Sequence, residues 1–277
     1  MPIFSSDGVE IYYQVAGEGY PIVLAHEFAG DITSWDPQVN YFSRRYQVIT
    51  YCHRGYPPSE VPDDPEAYSQ DIQVEDLRRL LQHLGIEQAH IGGLSMGGTL
   101  TIGFAIAHPE MCRSLVVASA GAGSDPGDRE RLVASWQALS ESMVSEGMEK
   151  FADNYARGAE RQQFLRKDPV GWAKFHAGLA AHSAQGSSLT FRGVQMKRKT
   201  ILQLEKELQQ IKIPTLVMIG DEDTPCVDAA IFMKRHIPSC GLSVFPQAGH
   251  TINLEEPDLY NRTVSDFLIA VEAGKWV

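Results

Sequence analysis

The chain alternates short apolar runs with amphipathic stretches, and this alternation is interrupted once. Residues 9–15 mix apolar and polar positions ahead of Gly17-Glu18-Gly19 and read as an edge strand and a turn. The runs at 22–25, 48–51 and 89–92 are almost continuously apolar or β-branched, which suits strands covered on both faces by helices, as in a parallel sheet. Between the last two, Ile72, Leu77, Leu80, Leu81 and Leu84 form one stripe of a helix over 69–84, with Asp71 in its first turn and Gly85 just past its end. An apolar helix at 96–107, stopped by His108-Pro109, leads to a strand at 115–119. From about 121 to 200 only helical patterns occur, around 129–145, 148–159 and 170–182, separated by Gly and Pro. A helical stretch at 201–210, a strand at 215–220 opened by Pro214, a helix at 227–236, a strand at 242–245 and a last helix opened by Pro257 resume the alternation.

This pattern predicts an α/β fold: a mostly parallel central sheet flanked by helices, formed by 1–120 and 201–277, with an all-helical insert at 121–200. Such inserts lie over the carboxyl edge of the sheet, where open α/β sheets bind ligands.

Composition narrows the function. With 277 residues, 43% hydrophobic and 21% charged, the chain is an ordinary globular one, which excludes disordered, collagen-like and coiled-coil readings. A net charge of −11 opposes phosphate backbones and anionic lipid, so neither a nucleic acid nor a membrane is expected as a partner. No apolar run approaches the roughly 18 to 20 residues of a membrane span, and the first residues carry no leader pattern, so a cytoplasmic location is expected. Cys52, Cys112, Cys226 and Cys240 lack C-x-x-C spacing and read as free thiols. His26-Glu27 begins an H-E-x-x-H pattern, but Gly30 stands where its second histidine belongs, and no metal is expected.

Gly93-Leu94-Ser95-Met96-Gly97 matches G-x-S-x-G between a strand and a helix, the setting of a nucleophile elbow. A serine hydroxyl is a weak nucleophile and needs a base, itself held by a third group. Asp223 follows the strand at 215–220, and His250 follows the strand at 242–245. Parallel strands bring their carboxyl ends to one rim, so Ser95, Asp223 and His250 are expected to converge. Asp221, in the same acidic loop, is expected to cap or brace the turn.

On these motifs, the elbow Gly93 to Gly97, the acid loop Gly220 to Pro225 and Gly249-His250 before the last helix, the chain resembles the α/β-hydrolase fold superfamily over nearly its whole length, in its capped, serine esterase and lactonase-like form. The resemblance implies an oxyanion hole from the backbone N–H groups of Met96 and Phe28. It also implies a structural role for Arg54. The sequence departs from the family's His-Gly pair at Glu27, whose carboxylate is expected to face solvent or a buried cation. Trp136, Trp172 and Phe175 are candidate substrate-binding residues of the cap, competing with a role in the cap's own core, and His176 and His182 are expected to be exposed. The implied activity is hydrolysis of a small, largely apolar ester or lactone through an acyl-enzyme, with no cofactor. A ligand-binding receptor on the same fold, a carbon–carbon hydrolase and a perhydrolase are the alternatives. The oligomeric state is left open, a homodimer among the choices.

Overall fold

A computed structural model of the chain describes residues 2–276. Eight strands form one sheet: β1 Ile3–Ser6, β2 Val9–Ala16, β3 Tyr20–Ala25, β4 Tyr46–Tyr51, β5 Ala89–Leu94, β6 Cys112–Ala118, β7 Thr215–Gly220 and β8 Cys240–Phe245. Their spatial order is β1-β2-β4-β3-β5-β6-β7-β8. The two ladders made by β2 are antiparallel, and every later pairing is parallel. The carboxyl ends of β3, β5, β6, β7 and β8 therefore share one rim.

The run of apolar residues in β5 and β7 has its physical reason in this order, since both strands are buried at all six positions. Helices α2 (Gln70–His83), α3 (Met96–Ala107) and α10 (Thr224–His236) cover one face, together with the short α9 (Glu205–Leu208), and α1 (Asp36–Phe42) and α12 (Pro257–Glu272) cover the other. The α3 helix is apolar on every side and buried along nearly its whole length, as expected of a helix wedged between the sheet and α2.

Between β6 and β7 the chain forms helices only: α4 Pro126–Glu146, α5 Met148–Tyr155, α6 Gln162–Lys167, α7 Pro169–Ala180 and α8 Ala184–Thr190, which runs into a π-helical turn at Phe191–Gln195. Their aromatic interior, with Trp136, Phe151, Phe164, Trp172, Phe175 and Phe191, is continuous with Phe28, Tyr56 and Met96 of the sheet's rim. The elements differ from the sequence pattern in several details. β1, α1, α6 and α8 have no counterpart in it, the stretch 201–210 is a 3-10 turn at Leu202–Leu204 followed by one turn of α-helix rather than a single helix, β3, β4 and β8 begin two residues early, and β6 and α10 begin three residues early.

Candidate active site

Ser95 stands between the end of β5 and the first residue of α3, with φ 55° and ψ −108°, a backbone state that costs a non-glycine residue energy. A hydrogen bond from its N–H to the Ala118 carbonyl at 2.8 Å fixes the turn. The two flanking glycines are sterically required. A Cβ on Gly93 would overlap the backbone of Gly97, and one on Gly97 would overlap the carbonyl oxygen of Ala25 in β3. Ser95 is left half-buried at the rim, and Met96 behind it heads α3, where the first N–H groups have no intrahelical acceptor.

Asp223 is fully buried three residues beyond β7, at the N-cap of α10. Its Oδ2 lies 2.8 Å from His250 Nδ1. Asp221, by contrast, is exposed and accepts a hydrogen bond from the Ala248 N–H at 3.2 Å, so it braces the loop. The loop that carries His250 is held by three backbone N–H hydrogen bonds. Glu255, from the short helix α11 (Ile252–Glu255), accepts the N–H groups of Gly249 at 2.8 Å and Thr251 at 3.0 Å, and the His250 N–H donates to the carbonyl of Glu160 in the helical segment at 2.8 Å. Burial alone would push the imidazole toward its neutral form. The adjacent Asp223 carboxylate and its hydrogen bond outweigh that and hold His250 above the ordinary histidine value.

Glu27 points to a buried cation. Its carboxylate, 1% exposed, pairs with both terminal nitrogens of Arg161, Oε2 to NH2 at 2.7 Å and Oε1 to NH1 at 3.3 Å. Burial opposes ionisation of Glu27, but the Arg161 guanidinium, followed by His250, keeps it below the usual carboxylate range. The Arg161 guanidinium is itself seated over the rings of Phe175 (4.7 Å) and Tyr155 (5.0 Å). His26 shapes the same loop: its Nε2 accepts the His53 N–H at 3.1 Å, so the neutral ring carries its proton on Nδ1 and donates to the Glu27 carbonyl at 2.6 Å.

Phe28 follows in that loop, packed 4.1 Å from Phe191 between ring centroids. Trp136 packs on Phe191 and under Arg129. Phe175 lines a cleft of about 390 Å³ with Phe164, Leu179, His182, Gly30 and Asp31. Trp172 is placed inside the helical segment, its indole donating to the Ala156 carbonyl at 2.8 Å between Arg157 and His176. His176 pairs with Asp153 near the surface. His182 is not exposed: both ring nitrogens are buried, its ring meets Tyr56 edge-on, and burial pushes it down to about 4. Arg54 clamps Asp76 through Nε at 2.7 Å and NH2 at 2.6 Å and reaches the Ala67 carbonyl, which ties loop to helix.

Asp223, Cys226 and His250 bring one potential ligand atom each within 4.8 Å of one another. Burial, and then the Asp223 carboxylate, push the Cys226 thiol well above its ordinary value and favour its protonated form. Sequence reasoning misses Arg161, Glu255 and the Glu160 carbonyl. Each acts through a partner that only the fold brings near.

The sequence model of the α/β hydrolase fold matches residues 20–257. The chain belongs to the α/β-hydrolase fold family. Among curated relatives, 3-oxoadipate enol-lactonase 2 of Acinetobacter baylyi is 29% identical over 274 residues, covering 95% of this chain and 97% of that protein. Among solved structures, the enol-lactonase from Burkholderia xenovorans LB400 superposes with a TM-score of 0.84 at 26% identity, covering 97% of this chain and 100% of the other. A thermophilic esterase from Thermogutta terrifontis gives the same TM-score at 26% identity over 97% of each chain. The chain is a hydrolase of the α/β fold.

Proposed function

We propose that the protein is a serine hydrolase that opens a small, largely apolar ester or lactone through an acyl-enzyme. The observation that carries this reading is the His250–Asp223 contact at 2.8 Å on the rim where the strained Ser95 turn projects. Nδ1 of the ring faces Asp223, which leaves Nε2, 3.9 Å from Glu27 in the loop after β3, as the nitrogen that would receive the Ser95 proton. Ser95 attacks the carbonyl carbon while His250 takes its proton, and the imidazolium returns that proton to the leaving alkoxide. Water then attacks the acyl-enzyme by the same exchange. In a lactone the leaving oxygen stays tethered to the acyl group, so the product is one hydroxy acid rather than two molecules.

The oxyanion is held by the N–H groups of Phe28 and Met96, neither of which donates to a backbone acceptor among the described residues. The helical segment serves as the cap, and its aromatic interior, shared with Phe28 and Met96, favours an apolar acyl or alcohol group. Among the named candidates, Phe175, which lines the cleft, is the better placed for substrate contact, and Trp136 and Trp172 serve the cap's own packing. The enol-lactonase names of the relatives support the lactone side of the reading.

The test is turnover of p-nitrophenyl acetate and butyrate and of a panel of lactones by the wild type and by Ser95→Ala. Turnover is expected in the wild type, reduced by about 10⁶-fold in the variant. An unchanged kcat in Ser95→Ala would remove the serine from the mechanism.

A further inference from the structure

Glu27 occupies a second position beside the imidazole. Its Oε2, the atom bonded to Arg161, is 3.9 Å from His250 Nε2, while Asp223 Oδ2 is 2.8 Å from Nδ1. The ring thus has one carboxylate toward each nitrogen. The groups that face it are Asp223 from the loop after β7 and Glu27 from the loop after β3, which favour the imidazolium, and Arg161 from the helical segment, which opposes it more strongly than Glu27 supports it. Cys226 on α10 is a neutral thiol, and Glu255 holds the backbone on either side of His250 rather than the ring. We infer that Glu27 is a positioning residue for His250: its charge stabilises the imidazolium formed at each proton transfer, and Arg161 tempers that charge so that it does not expel the oxyanion at the neighbouring Phe28 N–H.

This role rests on the serine-hydrolase reading and falls to the residue at which the chain departs from the family's glycine. Two features argue for more than a brace between loop and helical segment. A tie between surfaces does not require either charge to lie within 4 Å of the reacting nitrogen, and the Coulomb interaction at that range is large for groups removed from water. The pair is also rigid, because the guanidinium is stacked on Phe175 and Tyr155 and the backbone before it accepts the His250 N–H. Glu27 therefore acts at a fixed distance.

The experiment is the pH profile of kcat/KM for Glu27→Gln and Glu27→Asp, with thermal unfolding as a check on folding. For Glu27→Gln the lower limb should move to lower pH by about one unit, because the imidazolium loses a stabilising charge, and kcat should fall by about tenfold with KM little changed. Glu27→Asp keeps the ion pair but draws the carboxylate back by one methylene. It should shift the limb in the same direction by less, and it serves alone if Glu27→Gln does not fold. A folded variant whose limb stays at the wild-type position, or moves up, overturns the inference. ¹⁵N titration of the His250 imidazole in the wild type and the variants reads the same coupling without turnover. It separates a failure here from a failure of the serine-hydrolase reading, which would appear as retained activity in Ser95→Ala.

Discussion

Two aspartates in one loop have opposite environments, and chemistry follows environment. Asp223 is fully buried against His250 Nδ1, whereas Asp221 is exposed on a backbone N–H. Asp223→Asn should lower kcat by about 10³ to 10⁴-fold, because an amide no longer holds the reactive tautomer or stabilises the imidazolium. Asp221→Asn should cost less than about tenfold, both measured at saturating ester with circular dichroism to confirm folding; the reverse order would place the acid at Asp221. In the proposed mechanism His250 works as base only when neutral, and it is held above the ordinary 6.5, so kcat/KM should rise with pH along a limb centred above that value. A limb centred below 6.5 would mean that burial outweighs Asp223. Ser95, Asp223 and His250 are legible in the sequence because each sits a fixed step beyond a recognisable strand. Arg161 is not, since its partner Glu27 lies 134 residues away and only the fold of the helical segment brings them together.

At the scale of elements, the strands buried on both faces are readable from their apolar runs, while the marginal ones are not. β1 is four residues long and half exposed, and its register with β2 depends on the Asp7-Gly8 turn, where both residues have positive φ. That dipeptide is a hairpin signal, but a strand so short offers too little alternation to stand out. The elbow is legible for the opposite reason, because its steric demands are written as glycines. Gly97→Ala would push a methyl into the Ala25 carbonyl of β3, and it should cost about 1 to 3 kcal/mol in urea unfolding and reduce ester turnover. Gly178 provides the control. It lies in α7 with open space where a methyl would project, and Gly178→Ala should stabilise by about 0.4 to 1 kcal/mol. Equal destabilisation by the two substitutions would contradict this account of the elbow.

The molecule as a whole buries several histidines in the neutral form. Burial pushes His90 and His182 down to about 4, and it moves His53 and His26 in the same direction. In the unfolded chain these rings take up protons near 6.5, so as pH falls from about 6.5 toward 4 the unfolded state binds protons that the fold refuses, and stability is lost across that window. For His90 alone the loss is on the order of 3 kcal/mol. His250 has the opposite sign, contributing stability below 6.5 that disappears as pH rises through its higher folded value. The urea midpoint should therefore fall steeply between pH 6.5 and 4.5, and an unchanged midpoint would show that these rings are protonated in the fold. What unites the sheet order, the strained turn and the paired imidazole is the claim that Ser95 is the nucleophile. The most direct measurement is reaction with a fluorophosphonate followed by intact mass and peptide mapping. One adduct per chain is expected, on Ser95, lost in Ser95→Ala and slowed in Asp223→Asn; an adduct on another residue, or none in protein that turns over esters, would contradict it.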